Sequence, residues 1–452
     1  MIFARQALLS SGWARDVRLR LRDGTITAIE TDQSQVQGET VVDTLLPALG
    51  NLHSHSFQRA MSGMTEYRKG GSDSFWTWRE LMYRFTAHLS PDHVEAIAAF
   101  VFMEMQEAGF ASVGEFHYIH HQPDGRPYYD PGEMSARIAA AAAMTGIGLT
   151  LLPVLYSYGG AGQVPLAAGQ ARFGTAVDPF NALVERARSI VADLTPDCRV
   201  GIAPHSLRAT SPDDLRAVLA AHVAGPVHLH IAEQPKEIAD ISAWLGARPV
   251  EWVLANARVN EDWCLIHATH MTPAETQAMA VSGAVAGLCP ITEANLGDGI
   301  FNGPTYLKAG GRFGIGSDSC VLISLSEELR MLEYSQRLRD MARNVMITGE
   351  GSVGEALYLR AAKGGAQALA RGRGEIGVGS LADLVAIDST VPALCALRHD
   401  QLLDGLVFAA RNNIVTDVWS AGRHAVRSGR HIDRGAITSA YRSALQSLVA
   451  LL

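Results

Sequence analysis

The sequence predicts an α/β fold, a (β/α)8 TIM-type barrel carrying a small β-sandwich formed by the N- and C-terminal segments. Three observations lead there. Between residues 47 and 371, short apolar runs alternate eight times with longer helical patterns, the rhythm of βα units in a parallel sheet. Residues 1–46 and 372–452 instead carry short strand-like segments broken by turns. Histidines and acidic residues stand at the carboxyl ends of several of the eight runs, where such a barrel keeps its chemistry. The same alternation also allows an open doubly wound sheet; the count of eight favours the barrel.

Bulk properties bound the reading. A chain of 452 residues, 48% hydrophobic and 19% charged, can bury a large core. A net charge of -8 and only four lysines, Lys69, Lys236, Lys308 and Lys363, leave no basic run, which argues against a nucleic-acid partner. Any anionic substrate must therefore meet individually placed arginines. The five cysteines, Cys198, Cys264, Cys289, Cys320 and Cys395, show no Cys-x-x-Cys and mostly lie in apolar runs. They read as buried, reduced thiols of a reducing compartment. No basic segment followed by an apolar core opens the chain, so no secretory signal is expected and the location expected is cytoplasmic. The apolar stretch 138–155 has about the minimum length of a membrane span, but Thr145-Gly146 and Pro153 break it. A helix followed by a buried strand explains it better, and no membrane association is expected.

In chain order, Arg22-Asp23-Gly24-Thr25 is a hairpin-turn signal within the first β segment. Beyond Pro47 the strand candidates are 49–55, 112–120, 148–157, 199–206, 226–233, 263–270, 285–293 and 311–319. Ser90-Pro91-Asp92-His93 and Thr272-Pro273-Ala274-Glu275 each set a hydroxyl before a proline, predicting capped helix starts. Past residue 372, strands are predicted over 374–379, 382–388 and 415–421, with a terminal helix over 439–452. The β segments at the two ends are expected to join.

The run 49–55 delivers His53 and His55 at i and i+2, so both imidazoles leave one face of the strand. Alone, such a pair reads equally as two histidines on an exposed edge. Other runs supply partners: 226–233 ends in His228-Leu229-His230-Ile231-Ala232-Glu233, 263–270 in His267-Ala268-Thr269-His270, and 311–319 carries Ser317-Asp318-Ser319. Each by itself reads as a satisfied core histidine or, for Asp318, a cap for a helix beginning near Ser324. Converging on one barrel mouth, the histidine pair, a third histidine and an aspartate make a His3Asp set suited to zinc or ferrous iron.

That constellation resembles the amidohydrolase superfamily. So do Arg22-Asp23-Gly24-Thr25-Ile26 and the run from Gly374-Glu375-Ile376-Gly377 to Ala382-Asp383-Leu384-Val385 at the two ends. The resemblance implies metal ligands His53, His55, His230 and Asp318, with Glu233, His267 and Asp318 catalytic. Binuclear members use a carboxylated lysine on the fourth strand, and 199–206 holds none, which implies one divalent ion, Zn2+ before Fe2+. His230-Ile231-Ala232-Glu233 resembles the His-x-x-Glu of the deaminase branch; His228 shares the strand face but is no part of that pattern. Within the branch, Asn51 to Gln58, the run from Asp73-Ser74-Phe75-Trp76-Thr77-Trp78-Arg79 to Tyr83, Glu115-Phe116-His117-Tyr118, Pro204-His205-Ser206-Leu207-Arg208 and the run from Cys289-Pro290-Ile291-Thr292-Glu293 to Asp298-Gly299 resemble the formimidoylglutamate deiminase family. This implies a homodimer that hydrolyses N-formimidoyl-L-glutamate to N-formyl-L-glutamate and ammonia in histidine degradation, with Gln58, Arg79, Tyr118, His205 and Arg208 on the substrate.

The residue types suit a small dicarboxylate. Two carboxylates call for guanidinium forks, which bind planar anions bidentately, and Arg79 and Arg208 are placed in loops after the first and fourth runs. Arg79 reads equally as a surface residue of an amphipathic helix whose Trp76, Trp78 and Tyr83 are core, or as serving a neighbouring subunit's site. In the implied mechanism a metal-activated water attacks the formimidoyl carbon and Asp318 takes its proton. Glu233 protonates the imino nitrogen and then the leaving amine, and His267 hydrogen-bonds the attacking oxygen. Two alternatives stand beside it. A guanine-like nucleobase or nucleoside deaminase would offer stacking and amide contacts in place of two arginines. A non-catalytic metal- or ligand-binding barrel would show gaps among His53, His55, His230, Glu233, His267 and Asp318, and there are none.

Overall fold

The structure is a computed structural model that describes residues 1–67 and 75–451; Lys69, Asp73 and Ser74 lie outside the described residues. The chain opens with β1 (Ile2–Leu9), β2 (Gly12–Arg22), β3 (Thr25–Glu30) and β4 (Thr40–Pro47). Asp23 and Gly24 join β2 to β3 with φ of 48° and 78°, the two left-handed residues that a type I′ hairpin requires. The parallel strands follow: β5 (Leu49–Ser54), β6 (Phe110–His117), β7 (Gly148–Leu155), β8 (Arg199–Val200), β9 (Ala203–Pro204), β10 (Val227–Ile231), β11 (Trp263–His267), β12 (Val285–Leu288) and β13 (Arg312–Ile315). The chain ends with β14 (Leu384–Ile387), β15 (Val415–Ser420), β16 (Arg423–Arg427), β17 (Arg430–His431) and a helix over Arg434–Val449.

The terminal strands join, as expected, into one mixed sheet in the order β17-β16-β15-β14-β4-β1-β2-β3. Its seam is β4 against β14, antiparallel, with Pro47 opposite Leu384. The strand expected over 374–379 is absent: this segment makes only a single bridge from Ile376 to Leu9. Gly374 and Gly379 take φ of 62° and 85° there, and left-handed residues cannot continue an extended ladder.

All eight predicted runs contain parallel strand, in two sheets, β5-β6-β7-β8 with β9 on β7, and β10-β11-β12-β13. Strands β5, β6, β7, β10, β11 and β12 are buried at every position, which is why their sequences read as unbroken apolar runs. The run 199–206 splits into two short strands around Gly201, whose own N–H donates to Leu151 O at 2.9 Å. Backbone links connect the two sheets on both sides. His228 N donates to Ile202 O and His230 N to His205 O, each at 3.0 Å, while Asp318 N donates to His53 O and His55 N to Asp318 O, each at 2.9 Å.

Both predicted helix starts are present. Ser90 caps Pro91–Glu107 and Thr272 caps Pro273–Ser282, each hydroxyl accepting the backbone N–H three residues on. The stretch 138–155 is the end of a helix over Glu133–Thr145, a left-handed cap at Gly146, and β7; among the described residues no helix is long and apolar enough to cross a membrane. All five cysteines are free thiols, but the expectation of burial holds only in part: Cys264, Cys289 and Cys320 are buried, Cys198 is half-buried and Cys395 is exposed, in a surface turn.

Candidate active site

The carboxyl ends of β5, β10, β11 and the segment after β13 meet at one point. His53 Nε2 lies 3.0 Å from His230 Nε2, and Asp318 Oδ1 lies 3.5 Å from His53 Nε2 and 3.4 Å from His55 Nε2. Ligand-capable atoms of His53, His55 and His230 all fall within 4.8 Å of one another, as do those of His53, His267 and Asp318. Asp318 does not cap a helix: the helix Leu325–Asp340 takes Ser324 as its N-cap. His228 turns away, its Nε2 bonding Ala368 O at 2.8 Å.

The donor chemistry fits a cation. His55 Nδ1 meets Phe116 O at 3.0 Å and His230 Nδ1 meets His205 O at 3.1 Å, which fixes each proton on Nδ1 and leaves the Nε2 lone pair facing inward. Two inward nitrogens 3.0 Å apart need a proton or a cation between them. Burial first of all, with neighbouring imidazoles adding to it, pulls His53 down to about 3 and His230 well below the usual histidine range, so both imidazoles are neutral at physiological pH and could coordinate a cation. Burial would raise Asp318, but hydrogen bonding to His53 and the imidazoles of His53, His55 and His267 outweigh it and keep the carboxylate ionised.

His267 is of another kind. Its backbone is left-handed, with φ of 68°, and its Nε2 stands 3.9 Å from Glu233 Oε1 and 3.8 Å from Asp318 Oδ2. Its Nδ1 meets Glu293 Oε1 at 3.2 Å. Burial works against a charge there, but Glu233, Glu293 and Asp318 outweigh it and raise His267 to about 10, a donor where the other histidines are acceptors.

His55, His230, Glu233, His267 and Asp318 border a cavity of about 660 Å³ whose wall also includes Gln58, Arg79, Tyr118, His205 and Arg208. Gln58 Nε2 donates to Tyr118 Oη at 2.9 Å, and the Gln58 Oε1 is buried and unpaired. Arg208 follows β9 in a loop, nearly buried, and its Nη2 donates to Glu233 Oε2 at 2.9 Å. Arg79 sits on the helix Phe75–Thr86 and not in a loop, half-buried, its guanidinium 5.6 Å from the Tyr83 ring centre. Tyr83 itself faces the same cavity.

Several wall residues were not anticipated from sequence. Tyr156, Phe173 and Trp244 supply aromatic surface, and Lys236 stands near the rim. Glu293 and Glu237 are the more consequential omissions. Glu293 lies in the run Cys289–Gly299, yet only the fold shows that it faces His267; Glu237 is a fully buried carboxylate on the helix Pro235–Leu245, and only the fold turns it back onto the backbone of Ala232 and Glu233.

Comparison with known proteins follows the same line. The profile of the formimidoylglutamate deiminase HutF N-terminal domain matches residues 1–40. A formimidoylglutamate deiminase of Pseudomonas aeruginosa is 50% identical over 433 residues, 95% of either chain. A 5-methylthioadenosine/S-adenosylhomocysteine deaminase of Natronomonas pharaonis is 26% identical over 400 residues, 87% of this chain and 84% of that one. The crystal structure of an amidohydrolase from Brucella melitensis superposes with a TM-score of 0.95 at 48% identity, covering 99% of both chains. A zinc-bound adenosine deaminase from Xanthomonas campestris shares the fold at a TM-score of 0.81 and 21% identity, over 99% of this chain and 98% of that one. With the profile of the amidohydrolase family matching residues 44–425, the chain belongs to that family.

Proposed function

We propose that this enzyme hydrolyses the C–N bond of N-formimidoyl-L-glutamate, releasing ammonia and N-formyl-L-glutamate, as a step of histidine degradation. The observation that carries the reading is one cavity holding both a hydrolytic cluster and two arginines, in a chain half identical to a formimidoylglutamate deiminase. A purine pocket has no use for two guanidinium groups; a dicarboxylate does.

The ligand reading is His53, His55, His230 and Asp318 around a single divalent ion, zinc. Such an ion lowers the pKa of water by several units and so makes hydroxide available near neutral pH. Asp318, ionised and facing the histidines, is the group that takes the water's proton. Glu233 exchanges protons with the amidine nitrogen and then with the departing amine. His267, held as a donor by its carboxylate neighbours, hydrogen-bonds the oxygen on which negative charge gathers. Arg208 and Arg79 bind the two carboxylates, and Gln58, Tyr118 and His205 orient the chain between them. The two parallel sheets and the backbone links on both sides support a closed (β/α)8 ring over 47–371. Segments 1–46 and 372–452 form the accessory β domain.

The test is ammonia release from purified, metal-loaded enzyme given N-formimidoyl-L-glutamate, with guanine and N-formimidoyl-L-aspartate alongside. Rapid release from the glutamate compound, with N-formyl-L-glutamate as organic product, is expected. Silence on that compound with metal bound discards the substrate assignment.

A further inference from the structure

The ion pair between Arg208 and Glu233 joins two groups that the reaction needs apart. Both are nearly buried on the cavity wall, 2.9 Å from nitrogen to oxygen. On the reading proposed above, which this inference rests on, Arg208 receives a substrate carboxylate and Glu233 faces the amidine. An amidine is a strong base and enters as a cation at neutral pH, so the substrate brings one anion and one cation to the same pair. Glu237 differs from Glu233 in freedom. Its two oxygens accept the backbone N–H groups of Ala232 at 3.2 Å and Glu233 at 3.0 Å, and Ala232 is left-handed at φ 50°. Pinned in this way, Glu237 keeps Oε2 at 3.8 Å from Arg208 Nε, a fixed anion that holds the guanidinium while its other partner changes.

We propose that the Arg208–Glu233 pair of the free enzyme is a placeholder for the substrate's own charges: a substrate carboxylate takes over Arg208 while the amidinium takes over Glu233, two for two. No buried charge is left alone by this exchange. A ligand carrying only one of the charges strands the other protein group in a low-dielectric wall, which is costly. The site would thus reject simple amidines and simple dicarboxylates separately and accept the molecule that joins them. Glu237 is here a positioning residue, since it touches neither reacting atom.

The experiment splits the substrate into halves. Glutarate supplies the carboxylates, and guanidinium, a planar cation that resists hydrolysis, stands for the amidinium; binding of each to metal-loaded wild-type enzyme is measured by calorimetry with and without the other. Exchange predicts that each half tightens the other's Kd by tenfold or more, and by the same factor in both directions. In Glu233→Gln the pair no longer has to be broken, so glutarate alone binds at least as well as to wild type and guanidinium adds nothing. Independent or mutually exclusive binding of the halves to wild type overturns the proposal. Failure of the underlying reading looks different: Arg208→Ala turning over N-formimidoyl-L-glutamate with wild-type kcat/KM removes Arg208 from carboxylate recognition altogether. Lost turnover in that variant with no mutual tightening in wild type overturns the exchange alone.

Discussion

Among single residues, Glu233 is where the proposed mechanism is most exposed to test. Replacement by Gln keeps the volume and a hydrogen-bond donor but cannot carry a proton. Metal content and KM should stay within a few-fold of wild type while kcat falls by roughly 10²–10⁴, the usual contribution of a positioned acid–base group. A Gln variant that loses its metal, or keeps its turnover, contradicts the role. Arg208 makes a second case. Its Nε faces Glu237 at 3.8 Å while its Nη2, 2.9 Å from Glu233, lies on the edge offered to a substrate carboxylate, and one ammonium cannot face Glu237 and also fork a planar carboxylate. Arg208→Lys should therefore lower kcat/KM at least tenfold although the charge is kept, measured by initial rates over a substrate series; an unchanged value removes the fork. The residues that stand at strand ends were legible in the sequence because their spacing is itself the signal, as with His53-Ser54-His55. Glu293 and Glu237 were not recognised, because each acts through a side chain or backbone group that only the fold brings beside it.

Elements explain which parts of the pattern could be read. Six of the parallel strands are buried on both faces and announce themselves as apolar runs, while β8 and β13 begin with an exposed residue and show through the βα rhythm around them; the strand predicted over 374–379 is turned out of the ladder by its glycines. The turn after β5 is held by a feature the sequence hides. Glu115, near the end of β6, accepts both the N–H of Ser56 at 2.8 Å and its hydroxyl at 2.6 Å, tying down the turn that follows His55. Its other oxygen is buried and unpaired. Burial raises this carboxyl from the ordinary 4.5 to about 7, the Ser56 hydrogen bonds pulling only partly against it. With the folded value above the unfolded one, the native state holds the extra proton between them, so stability is full below pH 4.5 and declines as pH rises through 7. Converted at 1.36 kcal/mol per pKa unit, the decline is about 3 kcal/mol. Urea unfolding of wild type and Glu115→Gln at matched metal content should therefore show wild type losing ground to the variant from pH 4.5 to 7, and no further above it. A difference that stays flat with pH would mean that Glu115 does not titrate in this window.

On the scale of the whole molecule, the chemistry and the fastening of the terminal sheet lie at opposite ends of the parallel strands. The histidine cluster stands at the carboxyl ends, and near the other end Arg371 sits almost fully buried between the two parts of the fold. Its guanidinium donates to both oxygens of Asp383, each at 2.9 Å, just before β14, and to Asp197 O at 2.8 Å and Oδ2 at 3.0 Å, just before β8. Arg423 of β16 adds two more bonds to Asp197, at 2.7 and 2.8 Å. A Cβ on Gly148, at the start of β7, would fall 2.4 Å from the Arg371 guanidinium carbon, so the sequence keeps a glycine where that group must pass. Burial by itself would raise Asp197, but the hydrogen bond from Arg423 and the charges of Arg371 and Arg423 hold it well below the usual carboxylate range. Its stabilisation is therefore present above the ordinary value of 3.8 and is lost as pH falls through the depressed one. Arg371→Met should cost about 3–5 kcal/mol, because it strands carboxylates that remain buried, and should move acid unfolding to higher pH. The expected signature is spatial: hydrogen exchange speeds up first in β14, β15 and β16, while kcat/KM per folded molecule at 25 °C stays at the wild-type value, since no active-site group touches the network. A variant that unfolds no more easily than wild type would show that the two parts are held by apolar packing alone, and a folded variant with lowered kcat/KM would show that the network reaches the site.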